Sequence, residues 1–222
     1  MARILVVAPH PDDEVLGCGG TMVKHASKGD DVYLCVVTKT YAPEWSEDET
    51  RERKEEVRRV NEILGVRKTY FLDLPTVKLD TIPQKELNDL ISQMVNDVQP
   101  EVVYLPHQGD ANKDHRLVFE AAMVATRPKP NLTIRKILCY EVLSETEWAA
   151  PFEESAFIPN VWINISGVLE TKLKAMSAYK SELREFPHPR SLEAITALAK
   201  MRGANVGVEA AEAFMLVREL LT

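Results

Sequence analysis

The 222-residue sequence predicts an α/β fold in which a mostly parallel sheet lies between two layers of helices. Apolar runs of strand length alternate along the chain with segments of helical periodicity. Several of these runs, such as residues 4–8 and 32–38, are continuously apolar, which is typical of parallel strands covered on both faces. The alternating order of strands and helices favours a Rossmann-like three-layer αβα sandwich.

Each element has its own local signal. We expect strands at residues 4–8, 32–38, 69–72, 102–105, 137–142 and 161–165, and helices at 13–28, 47–64, 84–98, 114–125, 169–181, 192–202 and 210–221. Ser46 followed by Glu49 predicts a capping box at the start of the second helix. Gly29 and Gly65 lie where the first two helices should end, and Pro83 lies where the third should begin.

Composition narrows the class of protein. No Gly/Ser- or Pro-rich linker divides the chain, so we expect one domain over residues 1–222. The formal net charge of −7 argues against a nucleic-acid or anionic-membrane surface. No apolar stretch approaches the roughly 20 residues of a membrane span. The three cysteines form no C-x-x-C pair, and the first residues lead directly into a strand, so we expect a cytoplasmic protein.

Three glycines, Gly17, Gly19 and Gly20, lie inside the first helical pattern. They do not form the G-x-G-x-x-G turn of a phosphate loop, so nucleotide binding is not predicted. Small residues in this position favour a close approach between the helix and the sheet.

Two polar loops follow two of the predicted strands. The turn His10-Pro11-Asp12-Asp13-Glu14 comes directly after the first strand, and residues 106–115 follow the strand at 102–105. In open α/β sheets, ligands bind beyond the carboxyl ends of the strands. Because both loops leave the sheet at this edge, we expect them to converge.

The residue types in these loops indicate a metal site with a base beside it. His10 and Asp13 are three residues apart where a helix begins, a spacing that lets both side chains face one point. Catalytic zinc sites use three His, Asp or Glu ligands and leave the fourth position to water. His115 is the best third ligand, and Asp12 is placed as a base toward the water. Taken singly, Asp12 and Asp13 have the simpler interpretation of helix caps.

The motif His10-Pro11-Asp12-Asp13-Glu14 resembles the signature of the zinc-dependent de-N-acetylases related to N-acetylglucosaminyl-phosphatidylinositol deacetylase, the PIG-L or LmbE-like family. Residues 109–116 resemble the family's second motif, Arg53 and Glu56 match its R-x-x-E helix, and residues 187–191 match a motif of one bacterial branch. The resemblance implies a Rossmann-like fold and one Zn²⁺ per chain held by His10, Asp13 and His115. It also implies Asp12 as the general base and Arg53 as a substrate contact.

One position departs from the family pattern. Many members have a histidine three residues before the last ligand, where this chain has Asn112. Either Asn112 takes a reduced role toward the substrate's acyl oxygen, or His188 reaches the site and replaces the missing imidazole as a catalytic residue. We favour His188, with Asn112 as a substrate contact. Asp110 or Asp114 is expected to orient His115 through its second nitrogen.

The resemblance implies zinc-assisted hydrolysis of the acetamide of an N-acetylated amino sugar or glycoconjugate, releasing acetate and a free amine. Two alternatives remain open: a metal-dependent amidase acting on a non-sugar or thiol-conjugate substrate, and a metal-bearing binding protein without catalytic activity. A small-molecule or glycoconjugate substrate is the expected partner, and the family implies a homo-oligomer, a trimer or hexamer. Trp148, in an irregular stretch, is a further candidate for stacking on a sugar ring.

Overall fold

Seven strands form one sheet in the computed structural model, which describes residues 1–130 and 133–221. The strands are β1 (Arg3–Ala8), β2 (Asp31–Lys39), β3 (Lys68–Pro75), β4 (Val102–Pro106), β5 (Lys136–Tyr140), β6 (Val161–Asn164) and β7 (Ala211–Glu219). The helices are α1 (Asp13–Ser27), α2 (Glu47–Leu64), α3 (Gln84–Val98), α4 (Lys113–Ala125), α5 (Leu169–Ala178) and α6 (Leu192–Ala204). The predicted capping box of α2 is present: the Ser46 side chain accepts from the Glu49 backbone, and Glu49 accepts from the Ser46 backbone.

The strands lie in the order β3-β2-β1-β4-β5-β7-β6. The first five strands in this order are parallel to one another, and β7 is antiparallel to its neighbours β5 and β6. Alternate side chains of β1 enter two different cores. Ile4 and Val6 pack with α1, α2, α5 and α6, whereas Leu5 and Val7 pack with α3 and α4. These two cores, one on each face of the sheet, confirm the predicted three-layer sandwich.

The predicted helix at residues 210–221 is wrong, because residues Ala211–Glu219 form β7. Alanine, glutamate, methionine and leucine favour a helix, and the segment is rich in them. In the fold, however, it fills the gap between β5 and β6 and pairs with both. Ladder hydrogen bonds and burial of the first four residues of β7 therefore override local propensity.

The glycines of α1 allow it to lie directly against its neighbours, as predicted. A Cβ atom on Gly17 would lie 2.2 Å from Cδ2 of Tyr140, and one on Gly20 would lie 2.7 Å from Cγ2 of Ile165. Tyr140 is itself fixed, since its hydroxyl donates to the Val7 carbonyl at 2.7 Å. A larger side chain at Gly17 would therefore require the Tyr140 ring or the helix to move.

A buried carboxylate ties α1 to the last strand. Glu212 of β7 accepts hydrogen bonds from the backbone N–H groups of Gly20 and Thr21, at 2.9 and 2.7 Å. Lys172 of α5 donates to the same carboxylate at 2.6 Å, and both side chains are about 95% buried. The position of α1, and with it the turn at its first residue, thus depends on α5 and β7.

In the part of the chain that the structure describes, no helix combines the length and the apolar character needed to cross a bilayer. Cys18, Cys35 and Cys139 are buried free thiols.

Candidate active site

Three side chains from the two predicted loops meet at the carboxyl edge of the sheet. His10 and Asp13 come from the turn between β1 and α1, and His115 comes from the first turn of α4. The His10 Nδ1, Asp13 Oδ2 and His115 Nε2 atoms form a triangle in which each edge is 3.3 Å. The predicted convergence of His10 and His115 is therefore present in the fold.

This triangle fits a small divalent cation. Zinc bonds to histidine nitrogen and carboxylate oxygen at about 2.0–2.2 Å, so two ligands of a tetrahedral site lie about 3.3–3.6 Å apart. The three 3.3 Å edges agree with that spacing. The donor set of two imidazoles and one carboxylate is also one that zinc uses in catalytic sites.

Each imidazole is held by a carboxylate on its other nitrogen. Asp110 Oδ2 lies 2.8 Å from His115 Nδ1, and Asp114 Oδ2 lies 3.1 Å from His10 Nε2. Asp110 therefore contacts His115 as predicted, whereas Asp114 contacts His10 instead. Such carboxylates fix the tautomer and the orientation of a metal-binding histidine.

The two loop carboxylates are themselves anchored. Asp110 accepts from the Thr146 hydroxyl at 2.6 Å, and Asp114 accepts from the Val77 backbone N–H at 2.6 Å. The segments that follow β5 and β3 thus hold Asp110 and Asp114 in place through these hydrogen bonds.

Asp12 occupies a strained backbone position beside this triangle. Its φ of 102° lies in the left-handed region, which costs a non-glycine residue about 1–3 kcal/mol. The strain lets the chain turn sharply from β1 into α1, so that His10 and Asp13 point to the same place. Strain of this kind collects at functional sites, where the surrounding structure maintains it.

Burial and the charge of Asp13 raise the pKa of Asp12 to about 8, and the Arg190 guanidinium opposes this shift. Burial lowers the pKa of His10, but hydrogen bonds to Asp114 and Asp13 outweigh burial and raise the pKa to about 9. Burial likewise lowers the pKa of His115, yet Asp13 and Asp110 raise it well above its usual range. Protons and a metal cation therefore compete for the same imidazole nitrogens.

A cavity of about 310 Å³ opens beside the triangle, and His10, Asp12 and Asp13 lie in its wall. Its volume is at the lower end of the range of about 300–1,000 Å³ for small-molecule sites. The wall also contains Arg53 and Asn112, two of the residues predicted to contact the substrate.

His188 and Trp148 do not line this cavity. The two rings contact each other edge-on with centroids 5.9 Å apart, and His188 Nδ1 accepts from the Arg190 backbone at 3.1 Å. Within the described residues the structure therefore brings Asn112, and not His188, to the wall of the cavity.

Sequence reasoning missed five charged residues in the cavity wall: Lys39, Lys54, Glu145, Glu182 and Arg190. Arg190 Nη1 lies 2.7 Å from Glu182 Oε2 and 3.4 Å from Asp12 Oδ2, and the other oxygen of Glu182 pairs with Arg53. A signal for Arg190 was present in the sequence, because it belongs to the motif at residues 187–191, two positions after His188.

The R-x-x-E pattern of α2 has a structural explanation. Arg53 pairs with Glu182, and Glu56 accepts from the backbone and hydroxyl of Ser181 at 3.0 and 2.6 Å. One face of α2 thus holds the segment after α5 against the cavity.

Comparison with known proteins shows the family to which the chain belongs. The PIG-L family profile, described as GlcNAc-PI de-N-acetylase, matches residues 5–126. A protein of Escherichia coli (strain K12) named uncharacterized deacetylase YaiS is 35% identical over 187 residues, covering 80% of this chain and 90% of that protein. The diacetylchitobiose deacetylase of Thermococcus kodakarensis is 32% identical over 197 residues, covering 82% of this chain and 71% of that protein.

The fold is also similar to a solved structure, that of the conserved protein TT1542 from Thermus thermophilus. The TM-score is 0.80 with 27% sequence identity, and the alignment covers 100% of this chain and 97% of the other.

Proposed function

Because the chain belongs to the PIG-L family of GlcNAc-PI de-N-acetylases, we propose that it is a zinc-dependent hydrolase that removes the acetyl group from an N-acetylated amino sugar or glycoconjugate. The observation that carries this proposal is the triangle of His10 Nδ1, Asp13 Oδ2 and His115 Nε2 beside a cavity whose wall includes Asp12. Metal ligands and a base in one place are the groups that metal-assisted hydrolysis of an amide uses.

His10, Asp13 and His115 would hold the zinc. When bound, zinc would polarise the acyl oxygen, lower the pKa of a water molecule from about 15.7 toward 7 and favour the ionised form of Asp12. Asp110 and Asp114 keep the two imidazoles in the tautomers that present a lone pair to the cation.

Asp12 acts as the general base. Its carboxylate accepts a proton from water while the water oxygen bonds to the carbonyl carbon and an electron pair moves onto the acyl oxygen. Asp12 then returns the proton to the amide nitrogen as the C–N bond breaks. The electron pair on the acyl oxygen re-forms the carbonyl bond as the C–N bond breaks, and the second proton of the water passes from the acetic acid to the amine or to solvent. The products are therefore acetate and the amine, and Asp12 is again ionised. General acid–base catalysis of this kind contributes about 10²–10⁴-fold to the rate.

The substrate class rests on the relatives. A relative that is 32% identical is named a diacetylchitobiose deacetylase, and the family description names an N-acetylglucosamine conjugate. The small cavity and its mixed wall of threonines, arginines and apolar side chains suit a sugar ring, which offers hydroxyls to polar groups and C–H faces to apolar ones.

An acetate-release assay with the zinc-loaded protein tests the proposal. N-acetylglucosamine, diacetylchitobiose and an N-acetylated thiol conjugate are offered in parallel, and elemental analysis counts the zinc in the same sample. We expect one zinc per chain and hydrolysis of a sugar acetamide. Hydrolysis of the thiol conjugate alone would favour the alternative amidase, and zinc binding without acetate release from any substrate would favour a binding protein.

The assignment of Asp12 is tested by Asp12→Asn. We expect this variant to retain its zinc and to lose at least about 100-fold in kcat, because the amide side chain cannot accept the proton. Asp13→Asn is the matched comparison, since it should lose zinc as well as activity. Full activity of Asp12→Asn would show that another group is the base.

A further inference from the structure

Arg190 lies in the cavity with hydrogen-bonding capacity to spare. Its Nη1 contacts both Glu182, at 2.7 Å, and Asp12, at 3.4 Å. No other hydrogen bond of the guanidinium to the described residues is present, so the N–H groups of Nη2 are free. The side chain is 25% exposed and forms part of the cavity wall, so a ligand can reach it.

The arrangement is unlike that of an arginine placed only for stability. Its Nε–H is buried and has no partner among residues 1–130 and 133–221, which typically costs about 1–3 kcal/mol. Arginine–carboxylate pairs are frequently bidentate, with two parallel hydrogen bonds. Instead Glu182 divides its two oxygens between Arg190 and Arg53, and this holds the Arg190 guanidinium edge beside Asp12.

The two donors predicted for the acyl oxygen are less well placed. The Asn112 side chain caps α4, since its Oδ1 accepts from the Asp114 backbone at 3.0 Å, and its Nδ2 points to Glu145 at 3.5 Å. His188 does not line the cavity, and its Nδ1 already accepts from the Arg190 backbone. The cavity wall contains two guanidinium groups, Arg53 and Arg190. Among the described residues, Arg190 is the one that contacts Asp12 directly, at 3.4 Å, while Arg53 pairs with Glu182.

We propose that Arg190 is a catalytic residue that donates a hydrogen bond from its free guanidinium N–H to the acyl oxygen of the substrate as that oxygen becomes negatively charged. The inference rests on the proposed deacetylase function and names the donor that this function needs. When the water oxygen bonds to the carbonyl carbon, the oxyanion that forms lies beside the base that took the proton. A guanidinium held next to that base is close to the place where the charge develops, and its charge does not depend on pH in the working range.

Steady-state kinetics of three zinc-loaded variants provide the test. Arg190→Gln removes the charge, Arg190→Lys keeps it with a different geometry, and Arg184→Gln removes an exposed arginine of the same segment that does not line the cavity. We expect kcat of Arg190→Gln to fall by about 10²–10³-fold with KM changed by less than about threefold, as for loss of an oxyanion donor. Arg190→Lys should recover part of the loss, and Arg184→Gln should match the unmodified chain.

A second readout separates transition-state stabilisation from a structural role. A methylphosphonate analogue of the N-acetyl sugar carries negative oxygens on a tetrahedral centre, so its Kd should rise in Arg190→Gln by about the same factor as kcat falls. Zinc content and Tm identify a variant that has merely lost its fold or its metal.

Three results would overturn the inference: an unchanged kcat in Arg190→Gln, a rise in KM alone, or a fall in kcat with unaltered binding of the phosphonate. Failure of the unmodified chain to hydrolyse any acetamide would refute the deacetylase function itself. By contrast, if the unmodified chain and the Arg190 variants are equally active, only the role of Arg190 is refuted.

Discussion

The hydrogen bond between Asp110 and His115 allows a quantitative test of the metal site. The two atoms lie 2.8 Å apart and both side chains are 0% exposed, so water cannot replace the carboxylate if it is removed. In Asp110→Asn the amide oxygen can still accept from Nδ1, but the negative charge that strengthens the bond is lost. Loss of such a partner typically weakens metal affinity by about 10–100-fold, which corresponds to about 1.4–2.7 kcal/mol.

The assay is a zinc titration against a competing chelator of known affinity at one fixed pH, with Tm recorded for the metal-free protein. His25 and Asp30 supply a matched control, because Nδ1 and the carboxylate lie 2.9 Å apart in the same type of pair, away from the cavity. We expect Asp30→Asn to bind zinc like the unmodified chain. Equal zinc affinity in Asp110→Asn and the unmodified chain, or equal weakening in both variants, would refute the reasoning.

Three further predictions concern pH, packing and a buried charge. Zinc must displace a proton from His10, whose pKa is raised to about 9, so the apparent zinc affinity should fall as the pH falls below that value. Calorimetry in two buffers of different ionisation enthalpy measures the number of protons released. A zinc affinity that does not change with pH between about 6 and 9 would contradict this competition. Gly17→Ala places a Cβ 2.2 Å from an aromatic ring and should lower the free energy of unfolding by about 1–3 kcal/mol. Gly167→Ala, where a Cβ meets nothing within 4 Å, is the control, and equal Tm values for the two variants would exclude the steric argument. Lys172→Met leaves the buried carboxylate of Glu212 without its positive partner, so the free energy of unfolding measured in urea should fall by about 3–5 kcal/mol. Lys85→Met removes one partner of an exposed ion pair and is the control, because its unfolding free energy should change little.

Strong local patterns made most of the fold predictable from the sequence. Continuous apolar runs marked β1 and β2, and capping signals marked both ends of α2. The convergence of His10 and His115 followed from topology alone, because parallel strands place their carboxyl ends at one edge. The single-domain organisation and the functional roles of the site residues stay predictions.

What the sequence did not reveal depends on contacts distant along the chain. β7 has a helical composition, and only its pairing with β5 and β6 makes it a strand. Glu182 and Arg190 lie in an irregular segment without periodicity, and Glu182 meets Arg53 across 129 residues. Likewise, sequence position suggested that Asp114 serves its neighbour His115, whereas the turn of α4 directs it to His10.

The cavity is assembled from two stretches of the polypeptide. All three atoms that would hold the ion come from residues before position 116, whereas Ser144, Glu145, Glu182 and Arg190 add a later stretch to the cavity wall. The later stretch therefore affects both which molecule is accepted and how firmly the ion-holding residues are positioned, since Thr146 anchors Asp110 and the Lys172–Glu212 pair anchors α1. A change of selectivity in the loops that follow β5 and α5 has to preserve these two anchors.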